Sequence, residues 1–177
     1  TMVRLKVIRW IADAQPRRSS IRGAGRAKGS WEGVHPVRQA TIEPTGVERH
    51  LPADDFIVTK TDTRGVITYA NDVFITISGY RQDELLGKPH NLVRHPDMPM
   101  TVFKLLWDTI DAKREIFAYV INMANNGDHY WVFAHVTPTF NRSGQVIGYH
   151  SNRRAPHPAS IAAVVPLYQK MRQAERS

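Results

Sequence analysis

Residues able to contact a ligand are concentrated in one short segment, residues 89–99. Its sequence, PHNLVRHPDMP, places His90, Arg94, His95 and Asp97 among three prolines. An arginine guanidinium binds a phosphate or carboxylate through two parallel hydrogen bonds, so Arg94 and its neighbour His95 are candidates for holding an anionic group. Asp97 has a second interpretation, because it precedes a helical pattern and can act as a helix N-cap. The segment is predicted to be a binding loop, or a rigid loop whose arginine and aspartate pair with each other.

Further candidates carry amide, imidazole or aromatic side chains. Asn71 can cap the helix after it or reach a ligand. Asn122 lies in a strand that is otherwise apolar on one side, and its amide can pair with a polar ligand edge or face solvent. Trp107 can stack on an aromatic ligand or belong to the apolar stripe of its own helix. His90 is a loop residue or a ligand contact, and Asn91 stands beside it.

Several classes of chemistry are excluded by the sequence. It contains no cysteine, which excludes disulfides, zinc–cysteine sites, iron–sulfur clusters and thiol catalysis. The eight histidines form no HxxxH pair with an acid, no serine lies in a GxSxG turn, and no glycine-rich phosphate loop occurs. We therefore expect a binding protein rather than an enzyme.

Five strands are expected to position these side chains. β-Branched and aromatic runs predict strands at 56–61, 66–70, 116–124, 129–137 and 146–152. An Asn-Gly pair between the third and fourth runs is a strong signal for a hairpin. The strands read as one antiparallel sheet.

The helical patterns fall between the second and third strands. Asn71 can cap a helix that Gly79 ends, a single turn follows at 83–87, and a longer helix begins after Asp97 and Pro99. An apolar stripe at 158–176 predicts one more helix, which Pro166 is expected to kink or restart. The predicted class is α+β, a five-stranded antiparallel sheet with helices on one face.

Net charge divides the chain into three parts. Residues 1–50 carry a net charge of +6, residues 54–154 are neutral, and residues 155–177 carry +2. We predict a basic and largely disordered N-terminal extension over 1–53, a domain over 54–154, and a C-terminal linker helix over 155–177.

The basic ends raise nucleic acid or an anionic surface as a partner. The sequence has no RGG repeat and no run of five lysines or arginines, so nucleic-acid binding is not expected. A membrane span is not expected either, because no run of about 18 apolar residues occurs. We expect a cytoplasmic protein.

The neutral part resembles a PAS domain. The matching motifs are, in order, Asp62-x-x-Gly65-x-Ile67-x-x-x-Asn71, Ser78-Gly79-Tyr80, Glu84-Leu85-x-Gly87, Asn126-Gly127-x-x-x-Trp131 and Gly148-Tyr149. The segment 89–99, the sequence NGDHYW at 126–131 and a Leu-Tyr-x-x-x-Arg pattern at 167–172 further resemble the Aer family of aerotaxis transducers.

This resemblance implies a sensor that binds FAD without a covalent bond and reports its redox state to a chemotaxis signalling domain or protein. It also implies that Trp107 is a flavin-site residue and that the segment containing Arg94, His95 and Asp97 is required for FAD binding. Leu105 departs from the family, which has an acidic residue there. Since the chain lacks cysteine, a light-driven flavin adduct cannot form, and reversible redox chemistry is the better use of a flavin.

Two alternatives remain open at this stage. A haem or another small ligand can replace FAD, with His90, His95 or His135 as iron ligand. A cofactor-free PAS domain can instead serve as an interaction module. In each case we expect a homodimer that pairs through the sheet or the C-terminal helix.

Overall fold

A central antiparallel sheet organises residues 42–177, the part of the chain that the computed structural model describes. Its strands are β1 (Ile57–Thr61), β2 (Ile67–Ala70), β3 (Ile116–Met123), β4 (His129–Phe140) and β5 (Val146–Arg154). Their spatial order is β2-β1-β5-β4-β3. The first strand of the sequence thus pairs with the last, and β2 and β3 form the two edges.

The helices lie in two places along the chain, before β3 and after β5. Between β2 and β3 lie α1 (Asp72–Ser78), α2 (Gln82–Leu85), a 3-10 helix (His90–Val93) and α3 (Met100–Asp111), and α4 (Pro158–Arg176) follows β5. The predicted α+β class, with five antiparallel strands and helices grouped between the second and third, is confirmed.

The ends of α1 follow from two residues. The Asn71 side chain accepts a hydrogen bond from the backbone N–H of Phe74 at 3.2 Å, which satisfies a donor that the first helical turn leaves free. Gly79 adopts a left-handed conformation with φ of 72°, and its N–H closes the helix on the Ile75 carbonyl at 3.0 Å. Between them Phe74 and Ile77 are buried.

The inward face of the sheet is apolar except at a few positions. Because side chains alternate along a strand, every second residue points inward. On β3 and β4 these residues are Ile116, Ala118, Val120, Asn122, Tyr130, Val132 and Ala134, and on β5 they are Tyr149, Ser151 and Arg153. An amide, a guanidinium, and the hydroxyls of Tyr130, Tyr149 and Ser151 are therefore the polar groups of these strands on a face that is otherwise core.

Strand register places these polar residues. Arg153 lies opposite Ile57 of β1 and Ala134 of β4. Asn122 lies opposite Tyr130, six residues along β3 from Ile116. At about 3.4 Å per residue, Asn122 and Ile116 are roughly 20 Å apart along the strand. The inward face is thus long enough for an elongated ligand.

The C-terminal helix α4 is continuous and packs on the edge of the sheet. The helix does not restart at Pro166. A proline has no N–H, so the Ala162 carbonyl loses its helical hydrogen bond at this point. Both residues are exposed. Val164 and Tyr168 are buried. The Tyr168 hydroxyl donates to the Tyr119 carbonyl of edge strand β3 at 2.6 Å.

Part of the segment that we predicted to be an extension contacts the hairpin between β3 and β4. Backbone hydrogen bonds join Thr45 to Gly127 at 2.9 Å and Arg49 to His129 at 2.7 Å. The Arg49 guanidinium donates to Asp128 at 3.0 Å and to the Ile77 carbonyl at 2.9 Å. Residues 45–49 thus tie the hairpin to the end of α1, whereas residues 1–41 of the predicted extension lie outside the described part of the chain.

Substituting Gly127 by alanine is expected to lower the free energy of unfolding by about 2–4 kcal/mol. Gly127 has φ of 93°, and a Cβ added there would overlap the Glu43 carbonyl oxygen. Gly144→Ala is the matched control, since Gly144 has φ of 77° but open space around it, and about 1 kcal/mol is expected there. Urea unfolding measures both, and equal losses would contradict the steric contribution of the Glu43 carbonyl.

Within residues 42–177, no helix combines the length and apolar character needed to cross a bilayer.

Candidate ligand-binding site

The centre of the inward face holds a buried arginine without a carboxylate partner. Arg153 is 5% exposed, and its Nε donates to the Ser151 hydroxyl at 3.1 Å while Nη2 donates to the Thr59 hydroxyl at 2.7 Å. Burial lowers the pKa of Arg153 to about 10, so the group stays charged at neutral pH. Its guanidinium carbon lies 5.5 Å from the centre of the Phe74 ring, a cation–π distance.

His90 is the third neighbour of this guanidinium. Its Nε2 lies 2.7 Å from Arg153 Nη2 and 3.3 Å from the Thr59 hydroxyl, and its ring stacks on Phe74 at 5.8 Å. An arginine has only donors, so Nε2 must be the acceptor and the proton of the neutral ring sits on Nδ1. Burial, reinforced by the charge of Arg153, lowers the pKa of His90 to about 3. The imidazole is therefore neutral at physiological pH.

Three buried polar atoms of the inward face have no hydrogen-bond partner among residues 42–177. They are Arg153 Nη1, Asn122 Nδ2 and Tyr130 Oη. Burying a polar group without a hydrogen bond costs free energy, so such atoms are uncommon in native interiors. Burial also raises the pKa of Tyr130, which keeps its hydroxyl protonated and able to donate. The interior thus presents unused hydrogen-bonding capacity on three adjacent strands.

Arg94 and His95 lie at the Asn122 end of this face. Arg94 forms a backbone bridge to Asn122 of β3. Its guanidinium lies 4.6 Å from the centre of the Phe103 ring and donates to the Met98 carbonyl at 3.3 Å. His95 is 5% exposed and its Nδ1 accepts from the Asp97 N–H at 3.0 Å. Burial lowers the pKa of His95.

Asp97 does not cap the helix that follows it, and that prediction is wrong. Helix α3 begins at Met100, after Pro99, and Asp97 instead forms an ion pair with Arg172 of α4. The alternative prediction, a pair between Arg94 and Asp97 within the loop, is also not observed.

The N-terminus of α3 is capped by a residue from the other end of the chain. The Glu175 carboxylate accepts from the N–H groups of Met100 at 3.1 Å and Thr101 at 2.7 Å, and from the Thr101 hydroxyl at 2.6 Å. A carboxylate at this position also interacts favourably with the helix dipole. The last turn of α4 is thereby joined to the segment that carries Arg94.

A cleft of about 220 Å³ lies at this junction. Arg94, Arg172 and Arg176 line it together with Met98 and Glu175. Three arginines, set against Glu175 and the Asp97 carboxylate that pairs with Arg172, still leave the cleft with a net positive charge, which suits an anionic group.

Trp107 lies at the opposite end of the face. Its ring meets Tyr149 of β5 edge-on at 5.5 Å and packs over Gly65, where an added Cβ would come within 3.2 Å of it. It belongs to a smaller apolar cluster around Ile110 and Ile116. Trp107 and Arg94 are therefore too far apart to contact a single aromatic ring of a ligand. They can contact only the two ends of a long ligand.

Two other candidates have side chains placed elsewhere. The Asn71 amide is used within the fold, since its oxygen accepts from Phe74 and Val58 and its nitrogen donates to the Phe56 carbonyl at 2.7 Å. Asn91 is exposed on the 3-10 helix. The structure thus brings His90 and Asn122 to the inward face, places Arg94 and His95 at its Asn122 end, and leaves Asn71 and Asn91 outside it.

The histidines considered as haem ligands do not converge. His135 lies on the outer face of β4, where it stacks on Phe117 at 4.1 Å and pairs with Glu115 at 2.8 Å. His90 and His95 each use one ring nitrogen as an acceptor from the protein. Within residues 42–177, no cluster of three metal-binding side chains occurs.

The sequence interpretation missed Arg153 and Tyr130. Tyr130 lies within the predicted strand 129–137, and Arg153 lies one residue beyond the predicted strand 146–152. Since side chains alternate along β5, Arg153 lies on the same side as Tyr149 and Ser151. The available signal was a charged residue at an inward position of a strand, which is uncommon without a partner or a ligand.

The geometry tests whether a flavin suits these residues. The pyrimidine edge of a flavin carries carbonyl oxygens and an unprotonated ring nitrogen, which need donors, and one ring N–H, which needs an acceptor. Arg153 Nη1 and Asn122 Nδ2 are unused donors on the inward face, and the Tyr130 hydroxyl can donate or accept. The donor set therefore fits a flavin.

The sheet order and the helices grouped before β3 are those of the PAS fold. Residues 67–153 match the family model of the PAS fold, and over these residues the chain belongs to that family. The sequence is 44% identical to the aerotaxis receptor of Escherichia coli (strain K12) over 121 residues, which are 68% of this chain and 24% of the receptor. The PAS domain thus resembles that of the aerotaxis receptor.

A second relative and a solved structure agree with this assignment. The nitrogen fixation regulatory protein of Klebsiella pneumoniae is 29% identical over 115 residues, 65% of this chain and 22% of that protein. The chain therefore spans about a quarter of the length of these relatives. A light-oxygen-voltage domain studied with a flavin analogue superimposes with a TM-score of 0.55 at 16% identity, covering 65% of this chain and 86% of that one, which shows the shared fold.

Proposed function

We propose that this PAS domain is a redox sensor, which holds FAD non-covalently between the sheet and the helices and passes the redox state to a chemotaxis-type signalling partner. The observation that carries the proposal is the set of unpartnered polar atoms of Asn122, Tyr130 and Arg153 on the inward face. The similarity to the aerotaxis receptor supports the sensory output, and the light-oxygen-voltage domain studied with a flavin analogue supports a flavin in the shared fold.

Each part of FAD has a candidate partner. Arg153 and Asn122 would donate to the polar edge of the isoalloxazine, and Trp107 would stack on an aromatic ring. Arg94, beside the arginine-lined cleft, would hold the diphosphate. Bound FAD would supply reversible electron transfer, and the absence of cysteine leaves no thiol for an adduct.

The proposed output passes through α4. The Arg94 backbone bridges to Asn122 on the inward face, while α4 contacts the same loop through the ion pair of Arg172 with Asp97. A change in hydrogen bonding at Asn122 would therefore reach α4 through one short loop. A helix held by few polar contacts is suited to a shift between two populations.

Replacing Glu175 by alanine is expected to loosen both helix ends that it joins. Loss of a cap costs about 1 kcal/mol, so amide hydrogen exchange at the last turn of α4 should accelerate about fivefold, as should exchange at Met100 and Thr101. Gln173→Ala is the matched control, because Gln173 is exposed in the same turn of α4. Equal exchange in the two variants would show that the contacts of Glu175 do not hold α4.

Identification of the cofactor tests the proposed function. The full chain is purified, denatured by heat, and the released compound is separated by chromatography against FAD, FMN and haem standards. FAD in the wild type, with reduced content in folded Arg94→Ala and Trp107→Ala and normal content in Arg81→Ala at the surface, is the expected result. A haem standard match, or a folded protein that releases nothing, would overturn the proposal.

The proposal includes a homodimer. The outer face of the sheet carries a row of neighbouring aromatic rings, with Phe117 stacked on Phe133 at 5.9 Å and Tyr119 at 4.9 Å from Phe133. Such rings are common in protein interfaces. Sedimentation equilibrium distinguishes a monomer of about 20 kDa, the mass of this chain, from a dimer of twice that mass.

A further inference from the structure

We propose that Arg153 is the ligand-selecting residue of the PAS interior, and that it selects a ligand which turns a negatively charged or strongly accepting edge toward β5. This inference rests on the proposed function, because it takes the flavin as the occupant of the interior. It adds the residue, and the charge, that decide which compounds the interior holds.

The first step is the charge of the site. A buried arginine that serves the fold is normally paired with a carboxylate, since an unpaired ion in the interior costs several kcal/mol. Among the described residues, the hydrogen-bond partners of Arg153 are neutral groups, namely the hydroxyls of Thr59 and Ser151 and the neutral ring of His90. None of the ion pairs among residues 42–177 includes Arg153. No carboxylate of the described residues therefore compensates its charge.

The second step is the direction of the unused donor. Nε and Nη2 are held by residues of β1, β5 and the 3-10 helix, which fixes the plane of the guanidinium. Nη1 is left without a partner although it is buried. A guanidinium fixed on one side and free on the other is preorganised for a ligand, because little side-chain entropy remains to be lost on binding.

The third step is the neighbourhood of that donor. Asn122 Nδ2 and Tyr130 Oη are the other unpartnered buried atoms of the inward face. Two obligatory donors and one hydroxyl require a ligand with at least two acceptor atoms. A cation would meet the charge of Arg153, and a wholly apolar compound would leave all three atoms unpaired. The interior therefore rejects both classes.

Two substitutions and one control test this role in the full chain. Arg153→Met removes the charge and keeps an unbranched, apolar side chain, whereas Arg153→Lys keeps the charge and loses the fork of donors. Arg154→Met is the matched control, since Arg154 is exposed and its guanidinium lies over Phe133 on the outer face at 5.5 Å. Cofactor-free protein is titrated with FAD by fluorescence, and its melting temperature is measured separately.

Arg153→Met is expected to weaken FAD binding about tenfold to a hundredfold, the range for a lost charged hydrogen bond. The melting temperature of the cofactor-free variant should be unchanged or higher, because an unpaired buried charge has been removed. Arg153→Lys should bind FAD with an intermediate affinity, and Arg154→Met should match the wild type in both measurements.

Two results would overturn the inference. One is unchanged FAD affinity in Arg153→Met. The other is a lower melting temperature of cofactor-free Arg153→Met that lysine restores, which would assign Arg153 to the fold. A wild type that binds no FAD would contradict the proposed function instead. The melting temperatures would then still decide whether Arg153 is a structural residue.

Discussion

Acidification from pH 6.5 to pH 4 is expected to lower the free energy of unfolding by about 3 kcal/mol through His90 alone. The folded protein holds His90 neutral with a pKa of about 3, against its ordinary value of 6.5. Between these two values the unfolded chain binds a proton that the folded protein does not. Stability is therefore complete above pH 6.5 and is lost as the pH falls toward 3.

The cause of this effect is the environment of the ring. The His90 ring is half-buried against Phe74, and its Nε2 accepts from the guanidinium of Arg153 at 2.7 Å. A proton on Nε2 would remove the acceptor and place a second positive charge beside the first. Each unit of pKa depression corresponds to about 1.4 kcal/mol.

Urea unfolding at pH 6.5, 5 and 4 measures this dependence. His90→Gln should flatten it, because the glutamine oxygen can still accept from Arg153 but does not titrate. His135→Gln is the control, since His135 lies on the outer face and not beside Arg153. Burial tends to raise the pKa values of Asp62 and Glu175, but hydrogen bonds outweigh it and lower both. These two carboxylates therefore add a loss of stability in acid that is the same in all variants. An unchanged slope in His90→Gln would contradict the account of this ring.

Asn71→Ala is expected to lower the free energy of unfolding by about 2–3 kcal/mol. The substitution removes the cap of α1 and leaves the N–H of Val58 and the carbonyl of Phe56 without their side-chain partner. The cap stabilises α1, and the other two groups lie at the start of β1. The substitution therefore weakens both elements at once.

Asn71→Asp separates this role from a role in ligand binding. The aspartate keeps the acceptor for Phe74 and Val58 and loses only the donor to Phe56, so a smaller loss of about 1 kcal/mol is expected. Guanidinium chloride unfolding of the cofactor-free protein measures both variants. If Asn71→Ala instead kept its stability and lost FAD, Asn71 would be a ligand residue.

Element types followed from local sequence because local interactions set them. The Asn71 cap, the left-handed Gly79 and the hairpin at Gly127 each depend on a few neighbouring residues. Periodicity likewise placed every strand within three residues of its observed ends, as β4 and β5 extend beyond the predicted 137 and 152 to Phe140 and Arg154. The fold class could therefore be predicted without any tertiary contact.

The candidate site was harder to predict from the sequence, because it depends on contacts between distant parts of the chain. Asp97 carries a good local signal for an N-cap, but Glu175, more than seventy residues later, supplies the carboxylate at α3. Arg153 shows no motif, and its importance follows only from the absence of a carboxylate among its neighbours. Charge counts for the middle of the chain sum to zero and conceal the buried, unpaired charge of Arg153.

The visible absorption spectrum of the purified full chain, before and after dithionite, tests the central claim most directly. The account predicts flavin bands that bleach on reduction, return in air, and remain in Arg154→Met while fading in Arg153→Met. A Soret band, or a colourless and folded protein that takes up no FAD, would contradict it.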